Sequence, residues 1–131
     1  MNNVNKQAFI ISAELSTLSK AENKDRTASL IKLLHSLRLP FKIADGMYEG
    51  VAEQSLYIVA ENTYNSVIKN IANEYEQHSY MRIYSDGHAE LVYVNAANKG
   101  EVQSIGVFTK VFSKDNLKAY TIIAGVIYTC L

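Results

Sequence analysis

The strongest structural constraint in this chain is the order in which two hydrophobic periodicities alternate along it. Residues 7–13 form a short apolar run rich in Phe and Ile, of strand length. Leu30, Leu33, Leu34 and Leu37 then recur at i, i+3, i+4 and i+7, and Ala28 and Ile31 widen the same helical face. A polar stretch at residues 16–23 reads as the loop before this helix, with Asp25 or Asn23 as its cap. Pro40 ends it, because the residue before a proline is pushed out of the α region. Strand-like runs follow at 41–44 and 54–60, separated by a glycine-bracketed, flexible segment, Gly46-Met47-Tyr48-Glu49-Gly50. Tyr64, Val67, Ile68, Ile71, Ala72 and Tyr75 make the cleanest helical stripe, with Asn62 or Thr63 as cap. Asp86-Gly87 joins alternating runs at 80–84 and 89–94, a strong hairpin signal. Two further strand-like runs, 105–112 and 120–128, flank a polar turn at 113–116.

The order is β-α-β-β-α-β followed by extra strands. It predicts a single α+β domain over residues 1–131 with the split-βαβ plan of the ferredoxin-like fold: an antiparallel sheet, two helices on one face, and additional C-terminal strands. The open face of such a sheet needs a cover, so either the apolar C-terminal strands or neighbouring subunits are expected there, and a homo-oligomer follows.

Composition excludes several function classes. The 131 residues carry 13 Lys+Arg against 13 Asp+Glu, which argues against a nucleic-acid-binding module and equally against an acidic DNA mimic. The lone cysteine, Cys130, has no internal partner, and without a Cys/His cluster no structural metal is expected. The polar start and the short apolar run after it fit neither a signal peptide nor a membrane span, so a soluble cytoplasmic protein is expected.

No phosphate-cradling glycine loop, dinucleotide fingerprint or nucleophile elbow is present. Asp86, His88 and Glu90 cluster in sequence, but turn chemistry accounts for the aspartate and strand alternation exposes the other two. The segment 46–53 offers more. It joins two strands and carries Tyr48, Glu49 and Glu53 with no Lys or Arg, so beside the plain reading of a mobile surface loop stands that of a binding loop. A tyrosine ring with its hydroxyl and a glutamate suit a nucleoside with a positive centre.

Several short islands stand out along the chain. They are Ile11-Ser12-Ala13 closing the first strand, Arg26 before Ser29-Leu30, Gly46-x-Tyr48 followed by Glu53, Asn73-Glu74-Tyr75-Glu76-Gln77, and Ala89-Glu90-Leu91-Val92-Tyr93. They span roughly residues 8–112, and in their order and spacing they are similar to the phage S-adenosylmethionine lyases, formerly called hydrolases.

The resemblance implies a ferredoxin-like, PII-like homotrimer with nucleoside sites between subunits. It implies an enzyme that splits S-adenosylmethionine into 5′-methylthioadenosine and L-homoserine lactone without cofactor or metal. It further implies an anti-restriction role in the cytoplasm of an infected bacterial host, with no nucleic-acid or membrane partner. Carried onto this sequence, Tyr48 and Glu53 match the residues associated with the reaction, and Glu90, Ser12 and Ala13 fall in the substrate-binding islands. Two other classes stay open at this point. One is a PII-like sensor that binds an adenine nucleotide without turning it over. The other is an interaction module that blocks a host enzyme by contact.

Overall fold

The computed structural model describes residues 5–95 and 99–131, and the polar start at 1–4 lies outside the described residues. Along the described chain run β1 (Lys6–Ser12), α1 (Lys20–Ser36), β2 (Phe41–Tyr48), β3 (Val51–Glu61), α2 (Asn65–Glu74), β4 (Ser79–Ile83), β5 (His88–Tyr93), β6 (Val102–Val111), β7 (Ala119–Ile123) and β8 (Val126–Cys130).

Local chemistry moves several boundaries from where the apolar pattern puts them. The cap of α1 is Ser19, not Asp25 or Asn23. Its hydroxyl accepts from the Glu22 N–H at 3.2 Å, and the Glu22 carboxylate accepts from the Ser19 N–H at 3.1 Å. This reciprocal box satisfies two otherwise orphaned donors, so the helix begins within the stretch expected to be loop. Asn23 instead ties down Leu15, accepting from its N–H and donating to its carbonyl. Ahead of α2, residues Asn62–Tyr64 form a 3₁₀ turn with no side-chain cap.

The segment 46–50 is not a flexible interruption. β2 stays regular through Tyr48 and turns in two residues, Glu49 (φ 48°) and Gly50 (φ 85°), the doubly positive geometry that suits the twist of a hairpin. The run 120–128 is not one strand either. Ala124 (φ 50°) and Gly125 (φ 78°) make the same kind of turn and divide it into β7 and β8.

The expectation of an open ferredoxin-like, PII-like sheet is overturned. Eight antiparallel strands close into a barrel in the order β1-β3-β2-β7-β8-β6-β5-β4, with β4 returning to β1. An open sheet would end in β2 and β4 with unpaired backbone groups and would leave one face bare. Here β7 pairs along β2, Ala44↔Ile123 to Tyr48↔Ala119, and β5 pairs along β4. Strands β6 and β8 join the two sides, and the face that needed a cover becomes the barrel interior.

Strand alternation then sorts the side chains into two clusters. Outward residues Phe9 and Ile11 of β1 and Leu56 and Ile58 of β3 pack with Leu30 and Leu34 of α1 and with Ile68 and Ile71 of α2. Inward residues Ala8, Ile10, Ile83 and Ala89 form a smaller cluster with Met81, Ile105 and Phe108. Both helices therefore lie outside the barrel, and the interior is reserved for something else.

Candidate active site

An eight-stranded barrel has an interior just wide enough for side chains or for one small ligand. In this barrel it is only partly filled, leaving a cavity of about 600 Å³. Ile10, Met81, Ile105 and Phe108 of the inward apolar cluster line it. One wall is the stacked pair Phe108 and Tyr128, with centroids 4.8 Å apart and planes 5° from parallel. Its mouth lies by the β2–β3 hairpin, where Tyr48 is 66% exposed.

Register explains why Glu53 reaches this space. Directly opposed residues of an antiparallel pair share a face. Glu53 faces Gly46 on β2, and Gly46 faces Thr121 on β7, so the three lie in one inward row. With no side chain at Gly46 the row has a gap beside Glu53. A Cβ there would sit 3.3 Å from the Glu53 carbonyl oxygen.

Among the described residues, Glu53 is the single charged one lining the cavity. Its carboxyl is raised above the ordinary range, first by burial and then by repulsion from Glu14. It keeps contact with water at the mouth, so both effects are partly screened. Among the described residues, neither a hydrogen bond nor an ion pair engages its carboxylate. Deeper in, burial pushes the Tyr57 hydroxyl up, with Tyr128 adding to it, and burial raises the Cys130 thiol. On the far wall the Tyr93 hydroxyl donates to Gln103 Oε1 at 2.8 Å.

The structure brings three of the five expected site residues together: Tyr48, Glu53 and Ser12 line the same cavity. The Ser12 hydroxyl donates to the Gln54 carbonyl and accepts from the Glu14 N–H, both at 3.0 Å, so it anchors the mouth loop. Ala13 does not reach the cavity. It is buried on the helix side, and its carbonyl accepts from Arg26 Nε.

Glu90 is also elsewhere. One of its oxygens takes Arg82 Nε at 3.1 Å, Arg82 Nη2 at 2.8 Å and the Tyr84 hydroxyl at 2.7 Å, and Arg82 reaches on to Asn65 of α2. Its carboxyl lies below the ordinary range. Burial opposes this, but it is outweighed by the hydrogen bonds from Arg82 and Tyr84 and by the attraction of Arg82 and His88. Sequence reasoning missed Glu14, Gln77, Tyr93, Gln103 and Tyr128. Alternation along the C-terminal strands could have pointed to Tyr128, whereas Glu14 sits past the end of a strand with no periodicity to mark it.

Among the described residues, no group of three or more His, Cys, Asp or Glu could hold a metal ion, and no helix is long and apolar enough to cross a membrane.

Fold and cavity together define a small β-barrel with room for one organic molecule, walled by aromatic rings and acidic at its entrance. A family model for the S-adenosylmethionine lyase family matches residues 9–131. The chain belongs to that family, and its activity is that of a lyase acting on S-adenosylmethionine. No curated protein gives a significant match.

Proposed function

We propose that S-adenosylmethionine binds inside the barrel and is split there by its own carboxylate. The observation that carries this is the lining: a cavity of about 600 Å³ in which Glu53 is the only charged side chain among the described residues, with tyrosines around it. That volume falls in the ordinary range for a pocket enclosing a drug-sized molecule, roughly 300–1,000 Å³. A carboxylate with no protein partner attracts a sulfonium, and tyrosine faces attract both a cation and an adenine ring.

The reaction asks little of the protein. The substrate carboxylate oxygen forms a bond to Cγ, and the Cγ–S bond breaks with its electron pair going to sulfur. The sulfonium becomes a neutral thioether, 5′-methylthioadenosine, and the remainder closes as the five-membered L-homoserine lactone. Holding the chain curled draws on the ~7–11 kcal/mol available to well-oriented intramolecular reactions. Opposite charges annihilate as the bond forms, so excluding water from the reacting atoms favours the transition state over the solvated ground state. In this scheme Glu53 holds the sulfonium or ribose end. Tyr48 closes the mouth and orients the methionine part. Ser12 fixes the loop behind them. Removal of the methyl donor is compatible with an anti-restriction role in an infected bacterium.

Chromatography of S-adenosylmethionine after incubation with the pure protein tests the scheme. Methylthioadenosine and homoserine lactone are expected. In ¹⁸O-labelled water, label in the homoserine hydroxyl would show that water attacked Cγ and would overturn the intramolecular step, whereas label in the carboxyl reports later opening of the lactone. Glu53→Gln and Tyr48→Phe are expected to lose turnover and keep the fold. Near-wild-type rates in both would remove the two residues from the site.

A nucleotide sensor is disfavoured by the same lining, which has no Lys or Arg to meet a phosphate.

A further inference from the structure

Glu14 follows β1 and is held on three sides. Its N–H donates to the Ser12 hydroxyl at 3.0 Å, its carbonyl accepts from Gln77 Nε2 at 3.0 Å, and its Oε2 accepts from the Gln54 N–H at 3.1 Å. Gln77 is itself buried, lines the cavity, and also donates to the Tyr75 carbonyl, so the loop is pinned to the end of α2. Gln54 is the residue after Glu53. The anchoring thus sets the Glu14 carboxylate beside the mouth, near enough to Glu53 for the two charges to repel.

Among the described residues no Lys, Arg or His side chain forms a salt bridge with either carboxylate. Arg26, whose guanidinium bonds to the carbonyl of the adjoining Ala13, is taken up there, by the Tyr75 carbonyl and by Glu76. The free protein therefore keeps an uncompensated pair of negative groups at the entrance of an aromatic-walled cavity. A cation entering there relieves the repulsion, and a neutral molecule of the same shape does not.

We infer that Glu14 is a specificity-determining residue that, together with Glu53, selects a positively charged adenine nucleoside over its neutral thioether. The inference rests on the placement of S-adenosylmethionine in the cavity. It adds a direction to the cycle, because cleavage turns the sulfonium into a thioether and the product leaves without the attraction that drew the substrate in. Glu14 makes no bond to the reacting atoms, and its contribution is a field at the mouth.

The test uses two ligands that the protein cannot cleave. Decarboxylated S-adenosylmethionine keeps the sulfonium but lacks the attacking carboxylate, and 5′-methylthioadenosine is neutral. Calorimetry with the wild type is expected to show tighter binding of the cation. Glu14→Gln keeps an oxygen to accept from the Gln54 N–H and removes the charge. It is expected to weaken the cation about five- to tenfold and to leave the neutral ligand unchanged. Glu14→Asp is expected to retain part of the cation preference. Equal weakening of both ligands would show a merely structural residue, and no change for either would show that its charge is not read; both overturn the proposal. Failure of the wild type to bind either ligand would overturn the cavity assignment and this inference with it. If S-adenosylmethionine proves not to be cleaved while the charge preference appears and is lost in Glu14→Gln, the lyase chemistry of this cavity fails and the role of Glu14 stands.

Discussion

Replacing Glu90 by alanine would remove the acceptor for three donors and leave the Arg82 guanidinium with Asn65 as its remaining hydrogen-bond partner. The two side chains are 19% and 17% exposed, between a surface ion pair and a buried one. Exposed pairs contribute about 0–1 kcal/mol, and breaking a fully buried pair costs about 3–5 kcal/mol. An intermediate loss of about 2 kcal/mol is expected, which for a domain of this size lowers the melting temperature by roughly 5–10 °C. The sign with pH follows from the lowered carboxyl of Glu90. A carboxylate whose pKa drops on folding stabilises the fold above its unfolded value, near 4.5, and that stabilisation is lost as pH falls through the lower folded value. Thermal melts of wild type and Glu90→Ala should therefore differ by the full amount at pH 7 and converge in acid. Replacing both partners by leucine should recover part of the loss, since no charge is then left half-buried. Equal melting temperatures at pH 7, or a gap that persists unchanged at pH 3, would refute the assignment of Glu90 to the attachment of α2.

Lowering the pH should reduce kcat/KM for S-adenosylmethionine as Glu53 protonates, with the acid limb above 4.5 because burial and Glu14 raise that carboxyl; a limb at or below 4.5 would contradict it. Gly106→Ala should destabilise the barrel by about 1–3 kcal/mol or more in denaturant titrations. Gly106 has φ +103°, and a Cβ would lie 2.5 Å from the Leu131 carbonyl oxygen. Ser19→Ala should lower the melting temperature by roughly 2–5 °C through loss of the α1 cap, with no change in the products formed.

Local patterns in the sequence announce most of the elements, misplace several of their boundaries and say nothing of how the strands assemble. The stripe from Tyr64 to Tyr75 and the Asp86-Gly87 turn announce themselves because their residues interact with near neighbours in the chain. Barrel closure rests on β2 meeting β7, and a pairing across so many residues leaves no local periodicity. The Ala124-Gly125 turn was hidden by an alanine at positive φ in the middle of an apolar run. Ser19-Lys20-Ala21-Glu22 does carry a capping-box signature, but it precedes the apolar stripe by two turns, and its polar surroundings have the composition of a loop. In the site, Tyr48 and Glu53 are noticed because they stand close together in one lysine- and arginine-free segment; that they share one face two registers apart is visible only in the β2–β3 pairing. Glu14 was not, since a loop residue owes its position to three hydrogen bonds from parts of the chain far away or unpatterned.

The seam between Ala44–Tyr48 and Ala119–Ile123 also has a consequence in time. Contacts between residues far apart in the chain form slowly, because the entropy of closing the intervening loop is spent before any pairing rewards it. On a ribosome, the first four strands and both helices emerge well before β7. The enclosure around Glu53 therefore comes into being only when the last strands arrive, and a nascent or truncated chain holds its reactive geometry open to water until then.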